Sequence, residues 1–260
     1  MLSDAQLSKY HEDGFVVVPD VVAPGDLARI RDEVEQLYDQ DHPGRVLEKD
    51  GRTVRGIHGC HQVSTLFSRL VRLPDLLEPA EQVLASKVYV HQSKVNAKRA
   101  LHGDVWPWHQ DYIFWEREDG MPAPRVTNVG VFLDDATAYN GPLLFVPGSH
   151  RMGTVPAERR SNGWESNLAA DLDYALTAWQ LGPLVTRLGI TAATGSAGSL
   201  LLFDPQLVHG SGTNMSPFDR QLLLITYNSV DNVPDSAPNR RPDFLSASDT
   251  TPLAALTGDL

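Results

Sequence analysis

The chain has 260 residues, 42% hydrophobic and 21% charged, with Lys+Arg 22 against Asp+Glu 33 for a formal charge of -11. That length is about 1.7 domains at roughly 150 residues each, and the balance predicts a packed core rather than a disordered chain. The negative charge argues against nucleic acid or an anionic membrane as partner. The single cysteine, Cys60, excludes an internal disulfide, an iron–sulfur cluster and any all-cysteine metal site.

From the N-terminus, residues 7–10 predict a short helix that turns at Asp13-Gly14 into a strand over 15–18. Leu27, Ile30, Val34 and Leu37 recur at spacings of three and four, so 24–38 is an amphipathic helix with Pro24 in its first turn. A second helix is expected over 74–84, then a strand over 87–95 whose apolar residues alternate. Beyond Gly120, residues 126–133, 143–146, 199–203 and 222–227 are short runs rich in Val, Ile, Leu, Phe and Tyr. Each is bounded by Gly, Pro, Asn or Asp, as strands are.

No glycine-rich loop joins a strand to a helix, which removes dinucleotide-binding and P-loop folds. Helices followed by many short strands predict a mainly β fold, an antiparallel sandwich or open barrel buttressed by N-terminal helices. Without a repeat or a Gly/Pro-rich linker, residues 1–260 read as one domain. Residues 153–185 form an insertion between strands, polar up to 173 and with a helix over 174–185; it is either a lid or a surface excursion. The start carries no signal-peptide pattern, and no run reaches the roughly 20 apolar residues that span a bilayer. A cytoplasmic protein without a membrane partner is expected, its oligomeric state open.

Chemistry concentrates in Trp106-Pro107-Trp108-His109-Gln110-Asp111-Tyr112. On a strand, residues two apart share a face, so His109 and Asp111 can aim at one point. They supply two-thirds of a His/carboxylate/His facial triad, which leaves three octahedral positions open. His209 follows a predicted strand 98 residues beyond Asp111, and a barrel can close that separation by setting the two strands side by side. A His-x-Asp pair alone matches by chance in many proteins; Arg220, eleven residues after His209, adds weight. A guanidinium there is a bidentate donor suited to the remote carboxylate of a dicarboxylate cosubstrate.

Six segments carry a resemblance: His91-Gln92-Ser93-Lys94-Val95-Asn96, Trp108-His109-Gln110-Asp111, Asp119-Gly120-Met121-Pro122, Asn140-Gly141-Pro142-Leu143, Pro147-Gly148-Ser149-His150 and His209-Gly210-Ser211. Together they resemble the phytanoyl-CoA dioxygenase superfamily of Fe(II)/2-oxoglutarate oxygenases, most of all its ectoine hydroxylases and hydroxylases of free amino acids such as leucine. The resemblance implies a double-stranded β-helix (jelly roll, cupin-like) in which His109, Asp111 and His209 hold Fe(II). It also implies that Arg220 grips the far carboxylate of 2-oxoglutarate, with Ser211, Asn96 and Gln92 nearby. Lys94 alternates with Gln92 and Asn96, and Trp115 is placed with this cosubstrate group. Trp106 is placed on the substrate side, and the two indoles bracket the motif as walls that exclude water.

The implied reaction uses O2 and releases succinate and CO2 as an unactivated carbon is hydroxylated. Arg55 and His58 are candidate contacts for a substrate carboxylate. Gln110, Lys94 and the 53–60 segment depart from the ectoine hydroxylases and favour an aliphatic or cyclic L-amino acid of the leucine, proline or pipecolate type. Ectoine, a carrier-bound amino acid and a non-catalytic ligand-binding barrel stand as alternatives. Halogenation is disfavoured, because Asp111 keeps the carboxylate that a halide would replace.

Overall fold

The computed structural model describes residues 1–159, 164–168, 172–235, 241–258 and 260. Helix α1 (Asp4–Asp13) opens with a capping box between Ser3 and Gln6, and Gly14, at φ +84°, ends it in the left-handed conformation. The chain then enters β1 (Phe15–Val18), α2 (Pro24–Asp39), β2 (Arg45–Leu47) and β3 (Val54–His58). Two short helices, α3 (Cys60–Val63) and α4 (Thr65–Leu70), precede α5 (Pro74–Leu84) and the long strand β4 (Val88–Lys98). Pro24 and Pro74 both stand in first turns, where a missing N–H costs nothing.

The site-bearing half follows. It comprises β5 (Trp106–His109), one turn of α6 (Tyr112–Phe114), a π-helix (Trp115–Asp119), β6 (Val126–Phe132) and β7 (Leu143–Phe145). Then come α7 (Ala178–Leu188), β8 (Thr191–Ala192), β9 (Leu200–Phe203), β10 (His209–Ser211) and β11 (Arg220–Ser229). The helix expected over 174–185 therefore begins later, at the Thr177 cap, whose side chain and Gln180 form a second capping box.

Two antiparallel sheets face each other, one ordered β1-β9-β6-β11-β4-β3-β2 and the other β5-β10-β7-β8. This is the jelly-roll expectation realised. Strands β2 and β3, which carry too few apolar residues to announce themselves, extend the large sheet past β4. On its outer face α2, α4 and α5 pack Ile30, Val34, Phe67, Leu76 and Leu77 onto Val129, Val131, Leu223 and Ile225. Between the sheets Phe15, Phe132, Phe145, Phe203, Leu222 and Leu224 form a second core. Each such side chain contributes about 1.5–3 kcal/mol by leaving water. Cys60 is fully buried in the helical layer, and burial pushes its thiol up to about 12, so it is inert.

Strand β4 departs from simple alternation. Thr226 pairs with Gln92 and Tyr227 with Val90, so His91 is an extra residue in a β-bulge. The bulge exchanges the two faces. Before it, Val88 and Val90 point to the helical layer; after it, Val95 and Ala97 do, and Gln92, Lys94 and Asn96 turn inward. Strict period-two reading from Val88 would have set these three polar residues against the helices.

The 153–185 insertion falls partly on residues 160–163 and 169–171, which lie outside those described. Its described parts include a 3-10 turn (Trp164–Leu168), and Leu168 and Leu172 reach the cavity between the sheets. Among the described residues, no helix is long and apolar enough to cross a membrane.

Candidate active site

Strand β10 lies between β5 and β7 in the small sheet, and His209 is the cross-strand partner of His109. Two histidines a hundred residues apart in sequence thus become neighbours, their ring centroids 4.2 Å apart. Asp111 joins them by a route other than strand alternation. β5 stops at His109, and Asp111 already has helical torsions (φ -70°, ψ -38°) at the start of α6. A turn, then, swings the carboxylate back beside the imidazoles. Its oxygens lie 3.6 Å from His109 Nε2 and 3.7 Å from His209 Nε2, and one ligand atom from each residue falls within 4.8 Å of the others.

The surroundings prepare all three as ligands. His109 Nδ1 donates to the Pro107 carbonyl at 2.7 Å and His209 Nδ1 to the Leu207 carbonyl at 2.9 Å, which leaves each Nε2 lone pair facing inward. Burial pushes His209 down to about 4, so its imidazole is neutral at pH 7 and free to ligate. Burial pushes Asp111 up, but His209, Lys94 and His109 outweigh it and hold the carboxyl below the usual range.

One oxygen of Asp111 accepts from Asn128 Nδ2 at 2.8 Å, and Asn128 in turn accepts from Thr226 Oγ1 at 2.8 Å. Neither residue was found from sequence, although a buried Asn inside the apolar run 126–133 was the available signal. Asn128→Ala is expected to lower Fe(II) affinity about 10- to 100-fold while the fold is kept. Anaerobic iron titration measures it, and unchanged affinity would dismiss Asn128 as an orienting partner.

A cavity of ≈ 770 Å³, counting its open mouth, extends from these residues between the sheets. Asn96, Gln92, Lys94, Trp106, Trp115, His58 and Arg220 all line it. Gln92 Nε2 donates to the Leu245 carbonyl at 3.0 Å, which ties β4 to the C-terminal segment. Arg220 opens β11, a central strand of the large sheet rather than an edge. One of its Nη atoms donates to the carbonyl of Gly141. That glycine has a φ of +69°, and a Cβ there would fall 2.6 Å from Lys98 Cδ, so no side chain is admitted. Burial lowers Arg220 to about 10, so it stays charged at neutral pH. Among the described residues, Arg220 Nε, Ser211 Oγ and Trp106 Nε1 are buried without a hydrogen-bond partner. Buried donors in that condition call for an acceptor, and a carboxylate fits them.

Arg55 is not among the residues lining the cavity. Its Nη1 pairs with Glu48 at 3.0 Å, its Nη2 donates to the Val105 carbonyl at 2.8 Å, and its guanidinium stacks 3.8 Å from the Trp106 ring. With its charge already committed, it is withdrawn as a substrate contact. His58 does reach the cavity, but burial first, then Lys94 and Arg241, drive its pKa well below the ordinary value. It is therefore a neutral hydrogen-bonding group and not a cation.

Sequence reasoning missed Arg241, which lines the cavity while Nε and Nη2 grip Asp119 at 2.7 and 2.6 Å. Gln110 faces away from the metal ligands; it donates to the Gly153 carbonyl and accepts from Val155 N–H, pinning the start of the insertion. His150 takes no ligand role, its Nε2 lying 3.1 Å from the His11 carbonyl.

A jelly roll that aims two imidazoles and one carboxylate into the cavity between its sheets, with a buried arginine beyond, defines an iron oxygenase of the facial-triad class. Comparison with known proteins agrees. Residues 10–222 match the phytanoyl-CoA dioxygenase (PhyH) family. The chain is 41% identical over 263 residues to an L-proline trans-4-hydroxylase of Streptomyces griseoviridis, covering 99% of this chain and 97% of that protein. It is 36% identical to an ectoine dioxygenase of Nocardia farcinica, covering 95% and 86%. The crystal structure of EctD from S. alaskensis with 2-oxoglutarate and 5-hydroxyectoine superimposes with a TM-score of 0.86 at 30% identity, covering 99% of this chain and 88% of that one. The chain belongs to the phytanoyl-CoA dioxygenase family. It is a non-haem iron, 2-oxoglutarate-dependent dioxygenase that acts on a small molecule.

Proposed function

We propose that this enzyme hydroxylates an unactivated carbon of a free cyclic or aliphatic L-amino acid, with L-proline the first candidate. The observation that carries the reading is a surplus of cavity cations. Arg220 suffices for the far carboxylate of 2-oxoglutarate, yet Lys94 also lines the cavity, as does Arg241, whose charge Asp119 offsets but whose Nη1 makes no part of that pair. A second carboxylate, that of the substrate, accounts for them. The resemblance to an L-proline trans-4-hydroxylase over nearly the whole of both chains supports the same choice.

His109, Asp111 and His209 would hold the iron, leaving open positions for cosubstrate and O2. Iron held there would supply the O2 chemistry in which one oxygen atom goes to 2-oxoglutarate, giving succinate and CO2, and the other to a substrate C–H bond, giving the alcohol. The chain's own residues do the rest. Arg220, Ser211 and Asn96 bind and orient the diacid, and Lys94 and Arg241 anchor the substrate carboxylate. Phe114, Trp115, Leu172 and Leu245 form an apolar wall that excludes water and presents one carbon of the ring. Dependence on reduced iron and a central metabolic diacid favours the cytoplasm as the place of action.

A second reading is supported by the ectoine dioxygenase relatives, since ectoine also pairs a small ring with a carboxylate. A succinate-release screen decides between them, using L-proline, L-pipecolate, L-leucine and ectoine, with NMR of the product. Turnover of L-proline or L-pipecolate is expected to exceed that of ectoine at least tenfold. Preference for ectoine would reverse the assignment.

A further inference from the structure

Arg220 is not the whole of the cosubstrate site. Trp106 is the cross-strand partner of Ser211, as His109 is of His209, so the two strands form a metal layer and a second layer further along. Two residues of β10, about 7 Å at the usual rise, separate the layers, and a register shift makes the separation three residues on β5. A five-carbon diacid chelating at the metal layer places its other carboxylate near the second. That second layer holds two buried donors without a hydrogen-bond partner among the described residues, Ser211 Oγ and Trp106 Nε1, and Trp106 lines the cavity together with Arg220, whose Nε is likewise unpartnered.

The indole is also held from behind. Arg55 lies 3.8 Å from its ring centroid, fixed by Glu48 on one side and the Val105 carbonyl on the other. A cation on the face of an aromatic ring satisfies the ring's negative face. It also draws electron density from the ring, leaving the N–H edge a better donor to an anion. An aromatic wall needs no N–H, and burying one without an acceptor costs free energy comparable to a lost hydrogen bond. Trp106 therefore carries a donor that its packing role does not explain.

We propose that Trp106 donates its indole N–H to the far carboxylate of 2-oxoglutarate, with Arg55 acting through it as a positioning residue. Trp106 thereby moves from the substrate side of the site to the cosubstrate side. The inference rests on the 2-oxoglutarate dependence stated above.

The test is binding rather than turnover. The dissociation constants of 2-oxoglutarate and 2-oxobutyrate, which lacks the far carboxylate, are measured on Zn(II)-loaded wild type and Trp106→Phe, a change that keeps an aromatic face for Arg55. Loss of a hydrogen bond to a charged group is expected to weaken 2-oxoglutarate about 10- to 100-fold and leave 2-oxobutyrate within about twofold. In the wild-type protein, the Trp106 indole proton is expected to move downfield in 15N-correlated NMR with 2-oxoglutarate and not with 2-oxobutyrate. Trp106→Phe assigns that signal, and Trp106→Tyr does so if the first variant fails to fold. Equal weakening of both oxo acids, an unchanged 2-oxoglutarate affinity, or an indole shift caused by L-proline instead would overturn the proposal. Failure of the wild type to bind 2-oxoglutarate would remove the cosubstrate assignment itself, a distinguishable result.

Discussion

Replacing His109 by alanine is expected to cut turnover by about a thousandfold or more, some 4 kcal/mol of barrier, without unfolding the protein. His109 ends β5, and its side chain makes one hydrogen bond, to the Pro107 carbonyl two residues back. Truncation therefore leaves the ladder between β5 and β10 intact, since that pairing is made by backbone. What is lost is one of three ligand atoms gathered within 4.8 Å, and the two that remain, from Asp111 and His209, are insufficient to hold Fe(II) firmly. Under anaerobic conditions the wild type with Fe(II) and 2-oxoglutarate is expected to give a weak visible metal-to-ligand absorption. His109→Ala should give none, and should retain little iron after gel filtration. Circular dichroism and the thermal midpoint should stay close to wild type. A variant that keeps both iron and absorption would refute His109 as a ligand.

That prediction was legible in the sequence because the His109-x-Asp111 pair, His209 and Arg220 stood together with six segments of family resemblance. The short strands β5 and β10 that carry the histidines were not announced. The helices α2 and α5 and the strands β6, β9 and β11 were plain, their apolar periods being long enough to exclude chance. Asp111 was identified correctly but for a different geometric reason. Period-two reasoning assumes a continuing strand, whereas backbone torsions turn the chain helical just after His109. The bulge at His91 was illegible, because an inserted residue leaves no composition mark of its own; its consequence, polar Gln92, Lys94 and Asn96 facing inward, was visible only as polarity. Arg55 was misplaced for a physical reason too. Sequence shows a cation near the site but not its partner, and Glu48 lies on a neighbouring strand's extension. The orienting pair Asn128 and Thr226 depends on two neighbouring strands, β6 and β11, meeting the turn that carries Asp111, which no single stretch records.

The largest effect on stability is expected at Asp119. This carboxylate closes the π-helix that projects Trp115 into the cavity, and it is almost wholly buried. It receives both forks of Arg241 and lies 3.1 Å from His91 Nε2, inside the bulge. Burial pushes its carboxyl up, but Arg241 and His91 prevail and hold it below the ordinary carboxylate range.

Asp119→Ala leaves the Arg241 guanidinium buried without its counter-ion, a loss of about 3–5 kcal/mol. At this chain length that corresponds to a fall of roughly 6–20 °C in Tm. Removing both partners is expected to cost less than removing Asp119 alone, because the uncompensated charge goes with Arg241. Calorimetry on Asp119→Ala, Arg241→Ala and the double variant measures this; strictly additive losses would contradict the argument.

The pH dependence has a fixed sign. A folded-state pKa below the unfolded value of about 3.9 stabilises the protein above that pH and loses its contribution as pH falls. The gap in stability between wild type and Asp119→Asn should therefore be full at pH 7 and shrink below about pH 4. Substrate binding should respond as well, since Arg241 lines the cavity and the C-terminal segment is tied to β4 through the Gln92–Leu245 and Ala247–His91 hydrogen bonds. Asp119→Asn is accordingly expected to raise the KM for the amino acid about fivefold to tenfold, about 1 kcal/mol of binding, while the KM for 2-oxoglutarate changes little. Equal changes in both would mean that Asp119 supports the fold without positioning Arg241.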